Sequence, residues 1–264
     1  MAARIWGHRG ANVPDTLARV ADPVRVPATD PLAWLTELDG VPSGLAAARD
    51  GIDAMLRDRG LRKTSPEQTG ESLLRGAHAS AVLEGSGSTL EQVRAGEGDE
   101  IALAALRVST EVLALVPVIG TAPLQAFARL HALAGKGVIE EESLGRPVNA
   151  EGAERLGALA DTLLATSAPA LLVAALVHAE LITVAPFASH NGIVARAAER
   201  LVLVARGVDP ASVVVPEAGH LVLRATYESN VRGYRDGGRN GLHSWLLYVG
   251  EAITKGVEAS PLRG

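Results

Sequence analysis

The chain has 264 residues, 47% of them apolar, which is enough to bury a substantial core, and its net charge of -5 comes from intermixed acidic and basic residues with no basic run. That balance leaves no electrostatic footprint for a nucleic-acid backbone, and the absence of cysteine excludes disulfides, thiolate metal sites and cysteine nucleophiles. The longest uncharged apolar run, residues 168–177, is about half of a membrane span, and Arg4, His8 and Arg9 near the start precede no apolar block, so neither a span nor a leader is expected and the cytoplasm is the default location.

In chain order, residues 1–63 read as an N-terminal extension. Pro14, Pro23 and Pro27 interrupt any helical period up to Asp30, which predicts an extended lead-in packed on the body through Trp6. From Pro31 onward apolar positions recur at three- and four-residue steps, and Gly and Pro rather than hairpin dipeptides separate the segments. Helices are expected over 32–38, 45–59, 66–83, 90–94, 100–115, 122–133, 151–166, 170–184, 192–206, 220–230 and 242–255. Ser65-Pro66-Glu67 is a helix start, with Ser65 as N-cap, Pro66 in the first turn and Glu67 and Glu71 near the positive end of the dipole; Gly85 ends that helix. Residues 211–215 are the one short β-branched run, and 135–148, with Gly135, Gly137, Gly145, Pro147 and three consecutive glutamates, reads as an irregular surface segment.

Residues 178–200, HAELITVAPFASHNGIVARAAER, carry the most information. A helix is stopped by Pro186, a short loop follows, and Asn191-Gly192 opens a second helix with Arg196 and Arg200 on one face. A helix start after a tight loop presents backbone N–H groups and a positive dipole end, suited to a phosphate. The same spacing equally serves a plain helical hairpin.

This segment resembles the Fic signature His-Pro-Phe-x-(Asp/Glu)-Gly-Asn-Gly-Arg-x-x-Arg, with Pro186, Phe187, Asn191, Gly192 and Arg196 on family positions and His178 and Glu180 in the helix leading in. Upstream, Ser80-Ala-Val-Leu-Glu84-Gly85 is similar to the Ser-x-x-x-Glu-Gly element of the inhibitory helix that precedes many Fic cores. The resemblance implies an all-α Fic/Fido-like helical bundle with a short irregular flap at 135–148. It divides the chain into the extension, an inhibitory-helix region at 64–95, a core at 96–256 and a tail at 257–264. It also implies that Asn191, Gly192 and Arg196 bind a nucleotide or phosphate, that Ser80, Glu84 and Gly85 inhibit, and that Pro186 and Phe187 shape the loop.

The departures are chemical. The family's general base is a histidine where this chain has Ala185, its acidic magnesium ligand is Ser189, its loop glycine is His190, and its first signature arginine is Ile193. Loss of base, ligand and arginine together removes several terms worth about two powers of ten each, so AMP transfer to protein should be weak, altered or absent. His190 is the one histidine within the signature and a possible substitute base. His178 is expected to pack in its helix with its ring bonded to a backbone carbonyl, and His131 to be structural. No His-x-x-x-His or His/Asp cluster recurs at ligand spacing, so no intrinsic metal is expected and magnesium would arrive with ATP. Three functions stay open: a transferase of altered chemistry, a nucleotide-sensing regulatory pseudoenzyme in which Glu84 pairs with Arg196, and a partner-binding helical domain. A nucleotide and a protein target or regulator are the expected partners.

Overall fold

In the computed structural model, which describes residues 30–59 and 64–263, the apolar period becomes helix after helix, and no strand occurs among the described residues. The Trp6 contact expected of the lead-in lies outside them. A 3-10 turn at Ala33–Glu37 precedes α1 (Val41–Arg59). Ser65 starts α2 (Pro66–Leu83) as expected: its side chain accepts from the Gln68 N–H while Gln68 Oε1 accepts from the Ser65 N–H, a reciprocal cap that satisfies two donors. Thr89 and Gln92 repeat the device at α3 (Leu90–Ala95), and Asp99 caps α4 (Glu100–Glu111).

A 3-10 turn at Val112–Leu115 joins α4 to α5 (Val116–Ile119). The stretch Glu100–Ile119 is long and apolar enough to cross a membrane by length and composition. It is not uncharged, however, and Arg107 donates to the carbonyls of Leu133 and Ala134. Ala102, Ala105, Val108, Val112 and Ile119 enter the core against neighbouring helices, so its apolarity is spent on packing.

After α6 (Pro123–Gly135), the irregular flap contains one 3-10 turn, Glu141–Ser143, and leads to α7 (Ala150–Ala165). The next two helices, α8 (Ala170–Val184) and α9 (Asn191–Ala205), form the central hairpin and pack on each other more extensively than any other pair. Helix α8 is buried continuously from Leu171 to Leu181, a rod with no solvent face in that stretch and apolar but for His178 and Glu180. Helix α9 is buried from Gly192 to Leu203, yet this stretch includes Arg196, Glu199 and Arg200.

The single helix expected over 220–230 is two, α10 (Pro216–Val222) and α11 (Arg224–Asp236). Pro216 starts the first early, and Leu223 at φ -99 and ψ 27 breaks the run between them. The β-branched residues before Pro216 pair with no strand. Asp209 accepts from the N–H groups of Val213 and Val214, and Val215 N–H donates to Gly256 of α12 (Gly238–Glu258). Trp245 of α12 is fully buried and donates its indole N–H to the Ala175 carbonyl, tying the last helix to the central rod.

Candidate functional site

The site is the turn between α8 and α9. Pro186 cannot continue α8, and Ala185 leaves it in the left-handed region at φ 46, with its N–H on the Leu181 carbonyl. His190 is also left-handed, at φ 55, and opens α9 without a side-chain cap. Two non-glycine residues at positive φ in one short loop cost about a kilocalorie per mole each or more, which marks a backbone held by its surroundings.

Asn191 does much of the holding. Its Oδ1 accepts from the Phe187 N–H at 3.0 Å and its Nδ2 donates to the Phe187 carbonyl at 2.8 Å, so the amide clasps its own loop. The Phe187 ring stacks on His131 at 4.4 Å between centroids and 9° between planes. His131 Nδ1 accepts from the Gly145 N–H, and the Pro186 carbonyl accepts from the Val148 N–H at 2.9 Å, so the flap is pinned to both the helix below it and the loop. Burial pushes His131 down to about 4, and the nearby His190 adds to this. His190 Nδ1 lies 2.7 Å from Ser189 Oγ, and burial lowers the pKa of its ring. Ala185 is exposed and carries nothing that takes a proton, while Ile193 is a core residue at 2% exposure.

Over this loop sits the end of α2. Arg196 is 1% exposed and uses every guanidinium nitrogen: Nε donates to Ser80 Oγ at 2.9 Å, Nη2 to the Ser80 carbonyl at 3.1 Å and to Glu84 Oε1 at 2.7 Å, and Nη1 to Tyr227 Oη at 3.1 Å. A Cβ placed on Gly192 would come within 2.0 Å of Glu84 Oε1. The carboxylate therefore lies against the bare face of the first turn of α9, where helix dipole and arginine favour an anion. Gly85, at φ 96, takes the left-handed position directly after Glu84. The structure thus brings Ser80, Glu84, Gly192 and Arg196 to one point, with Asn191 one residue away and turned to the loop.

One turn further along α9, Arg200 donates from Nε and Nη2 to both oxygens of Glu217, at 2.9 and 2.7 Å, and from Nη1 to Ser72 and Ser212. Behind both arginines lies a cluster that spacing did not reveal. His178 Nδ1 is 2.7 Å and His220 Nε2 2.8 Å from the same oxygen, Glu199 Oε2, while His178 Nε2 meets Tyr227 Oη at 2.9 Å and His220 Nδ1 meets Tyr248 Oη at 2.7 Å. The ring of His178 bonds a carboxylate and a phenol, not the carbonyl expected, because α8, α9 and α11 supply side-chain partners at that depth. His178, Glu199 and His220 offer donor atoms within 4.8 Å of one another, the one such group among the described residues that could hold a metal ion. Their facing atoms are already joined by hydrogen bonds. The one sequence signal was Glu199 beside Arg196 and Arg200 in a helix that is otherwise apolar from Ile193 to Ala205; where its partners on α8 and α10 meet it, no periodicity says. Glu180, expected in the lead-in helix, accepts from Tyr234 Oη at 2.7 Å and pairs with Arg155 on the far side of α8.

No family model matches the sequence, and no curated protein matches it. Solved structures do. A Fic family protein from Desulfovibrio desulfuricans G20 superposes with a TM-score of 0.67 at 18% identity, covering 82% of this chain and 73% of that one. A fragment of Fic-1 from C. elegans superposes at 0.65 with 18% identity, covering 90% and 77% of the two chains. A glutamate-to-glycine variant of that fragment gives 0.65 at 17% identity, covering 86% and 72%. At such identities the likeness is one of fold: this chain has the Fic fold.

Proposed function

We propose that this Fic-fold chain binds a nucleotide or another phosphate compound at the start of α9, that Glu84 holds the position in the resting state, and that AMP transfer to protein is weak, altered or absent. The observation that carries the reading is the Glu84 carboxylate seated against Gly192 and bonded to Arg196 at 2.7 Å. An acidic side chain in an anion-favouring position marks that position and competes for it. The chemistry is weakened because Ala185 offers no base, Ser189 no charge for magnesium, and Ile193 is committed to the core. His190, the one histidine of the loop, is tied through Nδ1 to the neighbouring Ser189. A nucleotide-sensing regulatory role fits this balance of a kept anion position and lost catalytic groups better than a transferase. Magnesium would enter with the nucleotide, as ATP with Mg.

Calorimetric titration of ATP into the full chain and into Glu84→Gly tests the reading. The variant should bind ATP more tightly by the net strength of the pair, about 1 kcal/mol for a charged hydrogen bond whose carboxylate is partly exposed, and should gain much less for AMP. Unchanged ATP affinity in a folded Glu84→Gly protein rejects it.

A further inference from the structure

We infer that Tyr227 is a positioning residue for Arg196, and that the buried chain Tyr227–His178–Glu199–His220–Tyr248 behind it supplies a second, permanent counter-charge which keeps the arginine aimed at the start of α9 when Glu84 leaves. The inference rests on the proposed reading that Glu84 yields its seat to a phosphate.

Hydrogen-bond directions in the chain follow from its ends. Arginine only donates, so Arg196 Nη1 donates to Tyr227 Oη, and the phenol proton goes to its other partner, His178 Nε2. With Nε2 accepting, the His178 proton sits on Nδ1 and is donated to Glu199 Oε2. From the other side His220 Nε2–H donates to the same carboxylate oxygen, and His220 Nδ1 meets Tyr248 Oη. His178 is thereby a fixed neutral tautomer protonated on Nδ1. Burial pushes His178 down to about 4 and Tyr227 up to about 12, so both keep these forms near neutrality, and His220 and His178 hold the Glu199 carboxyl well below the usual carboxylate range against its burial. The chain runs from a cation, Arg196, to an anion, Glu199, through groups that are almost wholly buried.

This arrangement is costly if it serves packing alone. Glu199 Oε1 is buried without a partner, and a carboxylate, two imidazoles and two phenols fill a place where aliphatic residues would pack at no desolvation cost. Its use lies in the partition of the Arg196 bonds. Nε and Nη2 face Ser80 and Glu84 on α2, and Nη1 faces Tyr227 on α11. When Glu84 turns away, the first set weakens while the Tyr227 bond and the Glu199 charge behind it remain. The guanidinium then stays oriented without its exposed partner.

Two measurements test this. In the Glu84→Gly protein, Tyr227→Phe should weaken ATP binding about tenfold, the worth of one charge-assisted hydrogen bond, and leave AMP binding unchanged. A purely structural tyrosine would lower the melting temperature and leave the ratio of ATP to AMP affinity where it was, which overturns the inference. If Glu84→Gly binds no ATP, the functional reading has failed and the relay is judged by nitrogen-15 NMR of the full wild-type chain with labelled imidazoles. The expected result is His178 protonated on Nδ1 with a bare Nε2, and an Arg196 Nε signal that moves in Tyr227→Phe. His178 protonated on Nε2, or an unmoved Arg196 signal in a folded variant, overturns it.

Discussion

Arg196 and Arg200 stand one turn apart on α9, 1% and 3% exposed, and they are paired in different ways. Arg200 grips both oxygens of Glu217, whose side chain is 5% exposed, and adds Ser72 and Ser212. Arg196 has one short bond to one oxygen of Glu84, whose side chain is 31% exposed and which caps the C-terminal end of α2. A glycine makes room for each pair: a Cβ on Gly76 would lie 2.8 Å from both Arg200 Nη2 and Glu217 Oε2, and one on Gly192 would strike Glu84 Oε1. One helix face thus carries a closed ion pair, which holds α2, α9 and α10 together, and an open one whose acidic member can move into water. Burial of the carboxylate, not of the arginine, separates a structural pair from a releasable one.

The largest effect should fall on the closed pair. Glu217→Ala leaves Arg200 in the core with Ser72 and Ser212 but without a counter-charge, which costs about 3 to 5 kcal/mol, whereas Glu84→Ala should cost no more than about 1 kcal/mol because the carboxylate it removes was already partly hydrated and Arg196 keeps Ser80 and Tyr227. Urea denaturation at pH 7 ranks the two. Equal costs would break the comparison, since the Glu84 pair would then be as closed as its neighbour.

Acid should act through the network on the Arg196 side. The folded-state pKa of His178 is about 4 against an ordinary 6.5, and burial is the main cause. The unfolded chain therefore takes up a proton below about 6.5 that the folded chain refuses until about 4, so stability falls as pH drops through that window and levels off beneath it. The loss from His178 alone is on the order of 3 kcal/mol, with a contribution of the same sign from His131. Urea midpoints at pH 7 and pH 4.5 read it directly, and a flat profile would mean that native His178 takes up its proton as readily as the unfolded chain does.

The difference between the two arginines also explains what the sequence could tell. Helix periods, the Ser65 cap and the loop between α8 and α9 are local patterns, and they were legible residue by residue. The Ser80–Glu84–Arg196 meeting was legible because two short motifs resembled two parts of one family. Glu217, Glu199 and His220 were not, since they converge from α9 and α10 through packing alone, at separations with no periodic signature. Leu223 was missed for another reason: apolar residues on both sides of it continue a helical period that its backbone interrupts. The signature's chemistry was read from identities alone, yet only the fold shows that Asn191 spends its amide on Phe187 and that Ile193 has been absorbed into the core.

The smallest expected change in stability is the sharpest test of the comparison. In Gly192→Ala the new methyl would lie 2.0 Å from Glu84 Oε1 and 3.2 Å from Arg196 Nη1, so something must move. The carboxylate is the flexible, partly hydrated end of a surface side chain, so it should swing into solvent. The lost bond, worth about 1 kcal/mol, is then partly offset by the better helix propensity of alanine, also up to about 1 kcal/mol, and net stability should change by less than either. Gly76→Ala meets an enclosed pair that has nowhere to go and should cost about 2 to 3 kcal/mol. A double-mutant cycle adds the decisive arm: with Gly192→Ala in place, Glu84→Ala should have no further effect on stability, because the contact it removes is already gone. ATP binding should separate the two routes to the same broken pair, since Glu84→Gly clears the anion position while the Gly192 methyl fills it. If Gly192→Ala costs as much as Gly76→Ala, Glu84 is held as firmly as Glu217 and the open pair is not open.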